Sequence, residues 1–438
     1  MPPRSHQACP GRPRGFVILP QVTASAAPGA DPLAGRGWLS PGVAGIGSAS
    51  FLADVGHEIP TALLPSLLTS TLGAPAAALG VIEGISDALA GAARFGGGAL
   101  ADDPRRRRAV AVGGYTTTAV LAAATGAATS VWQVGVLRAG AWAARGLRVP
   151  ARNALLADIV PEAAYGRAYG FERAMDNLGA VFGPLLALGL VSLFSVRTAI
   201  AISVIPGLLA AGAIVYAIRK APRAEQRERM PIRIRIRPVL RGDLGRLMVG
   251  VSAFEVGNIA ATLLILRATE LLTPEHGLAT ATSLALGLYV AYNLAATVIS
   301  IPAGQFADRL GVTGPVRVMV VGAALFGVAY LAFAVGSTNW AVLAVPFILA
   351  GAAIGCIETA EHSAVASLAP TDLRGSAFGF LATVQSLGNL AASSIAGVLW
   401  TAVSATAAFG YVAAWMLIAV VAIAWSMRGR RQRYRGTA

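Results

Sequence analysis

Acidic side chains placed inside long apolar runs are the first residues in this chain that could do chemistry. Asp54, His57 and Glu58 lie within the apolar run 42–70, and Glu83 and Asp87 within 74–100. Glu255 lies within 246–270. Asp54 and Glu58 are four apart, as are Glu83 and Asp87, so each pair shares one helix face. A carboxylate inside a membrane costs a few kcal/mol unless it meets protein or water. These residues must therefore line a wet cavity or pair with cations. Clustered, desolvated carboxylates suit reversible protonation, so Asp54, Glu58 and Glu255 are expected to carry coupling or cation recognition. Glu83 and Asp87 could instead be structural partners between the first two helices.

The basic side chains that could answer them are also in apolar runs. Arg138, Arg145, Arg148 and Arg152 follow at spacings of seven, three and four, roughly one stripe of a helix. Arg138 is a candidate partner for the central carboxylates. Asp176 follows Arg173 by three on the run 166–194, and reads as a gate, a proton-relay residue or a local ion pair. Gly179, Gly183 and Pro184 lie further along it; small residues at i and i+4 make a flat packing face, and a proline removes a backbone bond. Glu358 and Glu361 sit in the run 339–367.

The elements that position these residues are membrane helices. The chain has 438 residues, of which 55% are hydrophobic and 13% charged. Twelve apolar runs can be marked: 42–70, 74–100, 108–129, 131–157, 166–194, 197–218, 246–270, 279–304, 314–336, 339–367, 375–402 and 405–427. They are too long and too apolar for barrel strands. The expected fold is all-α, twelve transmembrane helices in two pseudo-symmetric bundles of six. The bundles are expected at 42–218 and 246–427, flanked by a basic tail at 1–41, a basic linker at 219–245 and a basic tail at 428–438. The tail 1–41 reads as disordered rather than as a signal peptide.

The halves repeat. "GALAD" at 98–102 matches "GQFAD" at 304–308, "AYGF" at 168–171 matches "AFGF" at 377–380, and "DVG" at 54–56 matches "EVG" at 255–257. Such duplication is how many secondary transporters build two halves around a midplane site. Under the offset between the second pair, Gly355 aligns with Gly146 and Glu361 with Arg152. Arg145 belongs with the same cytoplasmic gate, in which Arg152 is expected to pair with Glu361 and Arg148 with Glu358.

The net charge is +14, and lysine and arginine crowd the tails and even-numbered loops. The odd-numbered loops hold Arg197 and Arg267. By the positive-inside rule both termini are cytoplasmic, in a multi-pass protein of the plasma membrane. The basic character is therefore topology, and no nucleic-acid partner is expected. The stretch "IRIRIR", 232–237, alternates like a strand or surface ribbon. Cys9 and Cys356 form no disulfide framework.

"GQFADRLG", with Gly304, Asp308, Arg309 and Gly311, resembles the loop signature of the major facilitator superfamily. "GALADDPRRRR", with Gly98, Asp102 and Arg106, resembles its first copy, in which Asp103 replaces the usual basic residue and Arg105 the second glycine. Segments 137–184 and 51–65 resemble a bacterial subgroup of that family. Gly179-x-x-x-Gly183-Pro184 resembles the fifth-helix motif of its proton-coupled drug antiporters, and Arg138 matches the arginine of its fourth-helix motif. The resemblance implies alternating access and a hinge or seal at the fifth helix. It also implies proton-coupled efflux of a small organic compound, which the acidic centre suggests is cationic. No cofactor, metal or catalytic residue is then expected; the proton motive force drives the cycle, the partners are substrate, protons and lipid, and a monomer suffices. Other classes fit less well. "ETAEH", 358–362, lacks the first histidine of a metalloprotease helix, and neither a nucleophile elbow nor a P-loop is present, so an enzyme is not expected. A metal-cation exporter using Asp54, His57 and Glu58, a lipid flippase and a non-transporting receptor are the alternatives.

Overall fold

The structure, a computed structural model, describes residues 37–221 and 235–426. The first half contains α1 (Pro41–Ser66), α2 (Ala76–Ala101), α3 (Pro104–Ala124), α4 (Val131–Ile159), α5 (Tyr165–Leu193), α6 (Val196–Ile202) and α7 (Val204–Lys220). A short helix, α8 (Ile236–Val239), leads into the second half. That half contains α9 (Gly242–Glu255), α10 (Ala261–His276), α11 (Leu278–Arg309), α12 (Gly314–Val335), α13 (Trp340–Leu368), α14 (Arg374–Ala402) and α15 (Ala405–Ser426).

Local chemistry explains the boundaries. Ser40 accepts a bond from Val43 N and Pro41 follows at the first helical position, so α1 starts there. Asp103 and Pro104 start α3 in the same way, and Asn339 caps α13. Gly336, with φ of 72°, takes a left-handed conformation where α12 stops.

These helices make twelve spans. Seven pass on length and apolarity alone; the others carry charges, polar residues or a break. The sixth span is α6 and α7, meeting at Ser203. The seventh is interrupted between Glu255 and Ala261, where one uninterrupted run was expected. Helix α5 is continuous through Pro184. Residues 232–234 of the "IRIRIR" stretch, Cys9, residues 1–36 of the first tail and the tail 428–438 lie outside the described residues, whereas Ser40 and Pro41 of the first tail already belong to the start of α1. Of the stretch, 236–237 open the helical turn α8, so the strand-like alternation there is not used as a strand.

In the first half α1 packs on α5 and α7, α2 on α4, and α3 on α4 and α7. In the second, α11 packs on α10 and α13, α12 on α13 and α15, and α9 on α14 and α15. Two seams join the halves, α5 against α11 and α2 against α14. Under the repeat these are one seam used twice.

The two ends of the molecule differ. The main apolar core runs without interruption from the first bundle into the second near the end bearing the basic loops. The opposite end of the first bundle has its own separate cluster, around Ile59, Leu64, Ile82 and Val134.

Candidate functional site: a charged cleft closed at its basic end

At the basic end, glycines let the seam helices touch. A Cβ on Gly98 would lie 2.8 Å from Gly375 O and 2.9 Å from Gly379 Cα. On the other seam a Cβ on Gly166 would strike Gly304 O, and one on Gly170 would strike Ser300 O. Backbones this close leave room for hydrogen alone.

The two signature aspartates finish each seam. Asp308 accepts bonds from Gly166 N at 2.7 Å, Arg167 N at 3.0 Å and Arg167 Nε at 2.8 Å. It thereby caps α5 from the other bundle, where helical N–H groups lack partners. Asp102 does the same for α14, accepting from Ser376 N at 2.8 Å and from the Ser376 hydroxyl. Burial raises the Asp102 carboxyl above the usual range, and the Ser376 bonds oppose that. Arg374 crosses back to Asp158 at 3.4 Å and to Tyr165 Oη at 2.8 Å. Arg107 also pairs with Asp158, and Arg106 reaches Asp103 at 3.7 Å. Arg309 is exposed, and Gly311 turns the chain after α11 with φ of 64°.

Toward the middle, the four arginines of α4 are engaged within their own bundle. Arg138 meets Glu83 at 3.0 Å and Thr61 at 3.1 Å. Arg145 meets Asp54 at 3.2 Å. The Trp142 ring lies between them, 4.6 Å from the Arg138 guanidinium and 5.1 Å from that of Arg145. The His57 ring is 4.1 Å from Trp142. Arg148 sits 4.0 Å over the Tyr115 ring. Arg152 meets Glu172 at 2.7 Å, Asp176 at 3.3 Å and Ser50 at 2.9 Å. Arg173 holds Glu172 at 2.7 Å and Asp176 at 3.1 Å.

The expected gate pairs are therefore not formed. Arg152 does not meet Glu361, because it pairs with Glu172 and Asp176 of α5, which it shares with Arg173. Arg148 does not meet Glu358, because it is stacked on Tyr115. The ion pair that crosses the bundles here is Arg173–Glu358, at 3.8 Å. Glu361 turns into its own bundle, accepting from Gln385 Nε2 at 2.9 Å. Glu255 accepts from Asn258 at 3.0 Å at the end of α9.

The fifth-helix glycines have a definite partner. A Cβ on Gly179 would lie 2.7 Å from Phe51 O and 2.8 Å from Asp54 Cβ, and one on Gly183 would strike Glu58 Cβ. The face thus presses on α1, inside one bundle, and fixes the height of its two carboxylates. Glu58 is half-buried and Asp87 exposed; Asp87 has no hydrogen bond or ion pair among the described residues. An exposed carboxylate at this depth faces water rather than lipid.

Sequence reasoning missed Glu172 as a site residue, although it directly precedes Arg173. It also missed Arg167, Arg374 and Ser376. A signal was present: the offset pairing Gly170 with Gly379 also pairs Gly166 with Gly375 and Arg167 with Ser376. Trp142, Ser50 and Gln385 carried no such mark.

Among the described residues, the hydrogen bonds and ion pairs joining the bundles all lie in the half nearer the basic loops. Arg94 is one of these, bonding Ser386 and, at 3.4 Å, Ala382 O. On the far half of α2, Gly80 and Gly84 have nothing within 4 Å of a Cβ position, and Gly287 of α11 is equally free. Among the described residues the bundles are thus bonded to each other at the basic end alone.

The comparisons agree with this fold. The chain is similar over most of its length to an uncharacterised MFS-type transporter of Methanocaldococcus jannaschii, 28% identical over 366 residues, covering 83% of this chain and 89% of that one. An uncharacterised protein of Mycobacterium tuberculosis is 27% identical over 362 residues, covering 81% and 85%. Two solved structures share the fold. One is the human organic anion transporter MFSD10, with TM-score 0.65, 17% identity and coverage of 87% and 99%. The other is a bacterial homologue of the iron transporter ferroportin in an outward-facing state, with TM-score 0.66, 16% identity and coverage of 89% and 99%. The family model for the Major Facilitator Superfamily matches twice, over 46–266 and 246–437, once for each bundle. With two six-span bundles, a repeated seam and a charged cleft between them, the chain belongs to the Major Facilitator Superfamily.

Proposed function

We propose that this multi-pass membrane transporter works by alternating access and exports a small organic cation in exchange for protons. The observation that carries the reading is the one-ended distribution of bonds between the bundles. The bundles are bound together at the basic end alone, by contacts that two rigid bodies can break as a set. With the basic end in the cytoplasm, as the positive-inside rule favours, this is the outward-facing conformation. The opposite conformation follows from releasing the two aspartate caps and the glycine seams.

The charge balance supports a cationic substrate. In the first bundle Asp54 and Glu83 have arginine partners, whereas Glu58 and Asp87 have no ion pair among the described residues and Glu255 is held only by an amide. A proton or a cation can satisfy such groups in turn, which is what antiport requires. A metal-cation reading gains nothing from the geometry. Its donor set is divided, with Asp54 held by Arg145 and His57 set against Trp142.

Inverted membrane vesicles with an acidic lumen test the reading. Tetraphenylphosphonium and related organic cations should accumulate in the lumen, and a protonophore should abolish accumulation. Accumulation that persists after the proton gradient is collapsed would contradict proton coupling.

A further inference from the structure

The break in the seventh span is built from polar groups. Helix α9 stops at Glu255, and α10 starts at Ala261. Asn258 within the break donates to Glu255 at 3.0 Å. Its own carbonyl accepts from Asn389 at 2.9 Å, and Ala260 N donates to Ser393 Oγ at 2.8 Å. Helix α14 thus satisfies the backbone that the interruption frees, as irregular backbone at membrane depth requires. A Cβ on Gly388 would strike Glu255, so α14 presses directly on this carboxylate.

A second carboxylate lies against the same face of α14, where Gln385 and Gly388 are one turn apart. Glu361 of α13, a helix that packs on α9, is 0% exposed. Its Oε2 accepts from Gln385, and its Oε1 is buried without any partner. Glu255 is 3% exposed. The ionisable groups that interact with the two are each other and Glu358 of α13, with Tyr292 of α11 and Tyr330 of α12 beside Glu255. Neither an arginine nor a lysine is among them, and the nearby α14 offers amides. This contrasts with the first bundle, where the buried carboxylates Asp54 and Glu172 have guanidinium partners. Two buried carboxylates with amide donors and no cation cannot both be ionised at tolerable cost. An acceptor oxygen with no donor is what an added proton would satisfy. Interrupted helices near the bilayer midplane are also where carriers place coupling ions.

We infer that Glu255 and Glu361, across the break in the seventh span, form the coupling-ion site and bind one proton between them. Glu361 is then a proton-binding residue and not half of a gate. Asn258 and Gln385 orient the two carboxyls. The inference rests on the proposed antiport reading for its role in transport, but the proton site itself is testable without a substrate.

Infrared spectroscopy of the full-length protein in lipid nanodiscs reads it directly. The carbonyl stretch of a protonated carboxyl should be present, should titrate away on alkalinisation, and should be altered in Glu255→Gln and in Glu361→Gln. The double variant should lose it. A band unchanged in the double variant overturns the site. So does a band displaced by sodium chloride at constant pH, which would make the site a sodium site. Size-exclusion behaviour like that of the native protein establishes that each variant is folded. In vesicles, Glu361→Gln should lose proton release on substrate addition while keeping substrate-for-substrate exchange. Proton release retained in Glu361→Gln overturns this inference alone. Its absence in the native protein, with the infrared band present and sensitive to Glu361→Gln, overturns the antiport reading alone.

Discussion

At the residue scale, the arginine–carboxylate lattice of the first bundle and the acid pair of the second have different tasks. Glu172 is 1% exposed and held by Arg152 and Arg173. Removing one partner of a buried ion pair costs about 3–5 kcal/mol, because the other charge stays behind. Arg152→Ala should therefore lower the thermal midpoint of the purified protein steeply. Arg152→Ala with Glu172→Gln should recover part of the loss. Equal midpoints for native and Arg152→Ala protein would mean the lattice adds nothing. Glu83 is partly exposed, so its pair with Arg138 should contribute less. The types of these residues are legible in the sequence, but their pairing is not. Arg152 has carboxylates available on α1, α5 and α13, and a repeat offset does not choose among them. Proximity along the adjacent α5 does.

At the element scale, the seams depend on glycine. Gly98 lies against Gly375 O at 2.8 Å from its Cβ position, with backbone rather than a flexible side chain opposite. Gly98→Val should hold the basic end open. A cysteine placed at Ser376 should then react faster with a membrane-impermeant maleimide from the basic side; unchanged reactivity would show that the seam does not close there in the membrane. The aspartate caps are a milder control. Asp308→Asn replaces a charged cap by a neutral one, at about 1 kcal/mol. That is roughly a fivefold shift in the open-to-closed ratio, readable from spin-label distances across α5 and α11. Most spans are legible from apolarity, and α13 and α15 could hardly be anything else. The break after Glu255 is not, since Val256 and Ile259 flank Asn258 and keep the run apolar. What stabilises it comes from α14, about 130 residues away in sequence, through Asn389 and Ser393.

At the scale of the whole molecule, duplication explains why one loop signature appears at two seams. Asp102 caps α14 and Asp308 caps α5, each reaching from its own half into the other. The degenerate first copy, with Asp103 in place of a basic residue, keeps the bond-accepting aspartate and loses little of the seam. Its neighbour Asp103 takes another duty as the cap of α3. The second bundle departs from the symmetry where it matters for transport: Asp54 has Arg145, whereas its repeat mate Glu255 has Asn258. The buried carboxylates Asp54 and Glu172 of the first bundle are neutralised by arginines, whereas the buried Glu255 of the second is held by an amide.

The most direct test of that account is proton movement on substrate addition. Inverted vesicles with an acidic lumen and a quenched pH dye would be given a panel of organic cations, antibiotics and divalent metals. The account predicts that at least one organic cation releases protons from the lumen, and that Glu255→Gln abolishes the release. A compound that is accumulated by the native protein without proton release, or with release unaffected by Glu255→Gln, would contradict it.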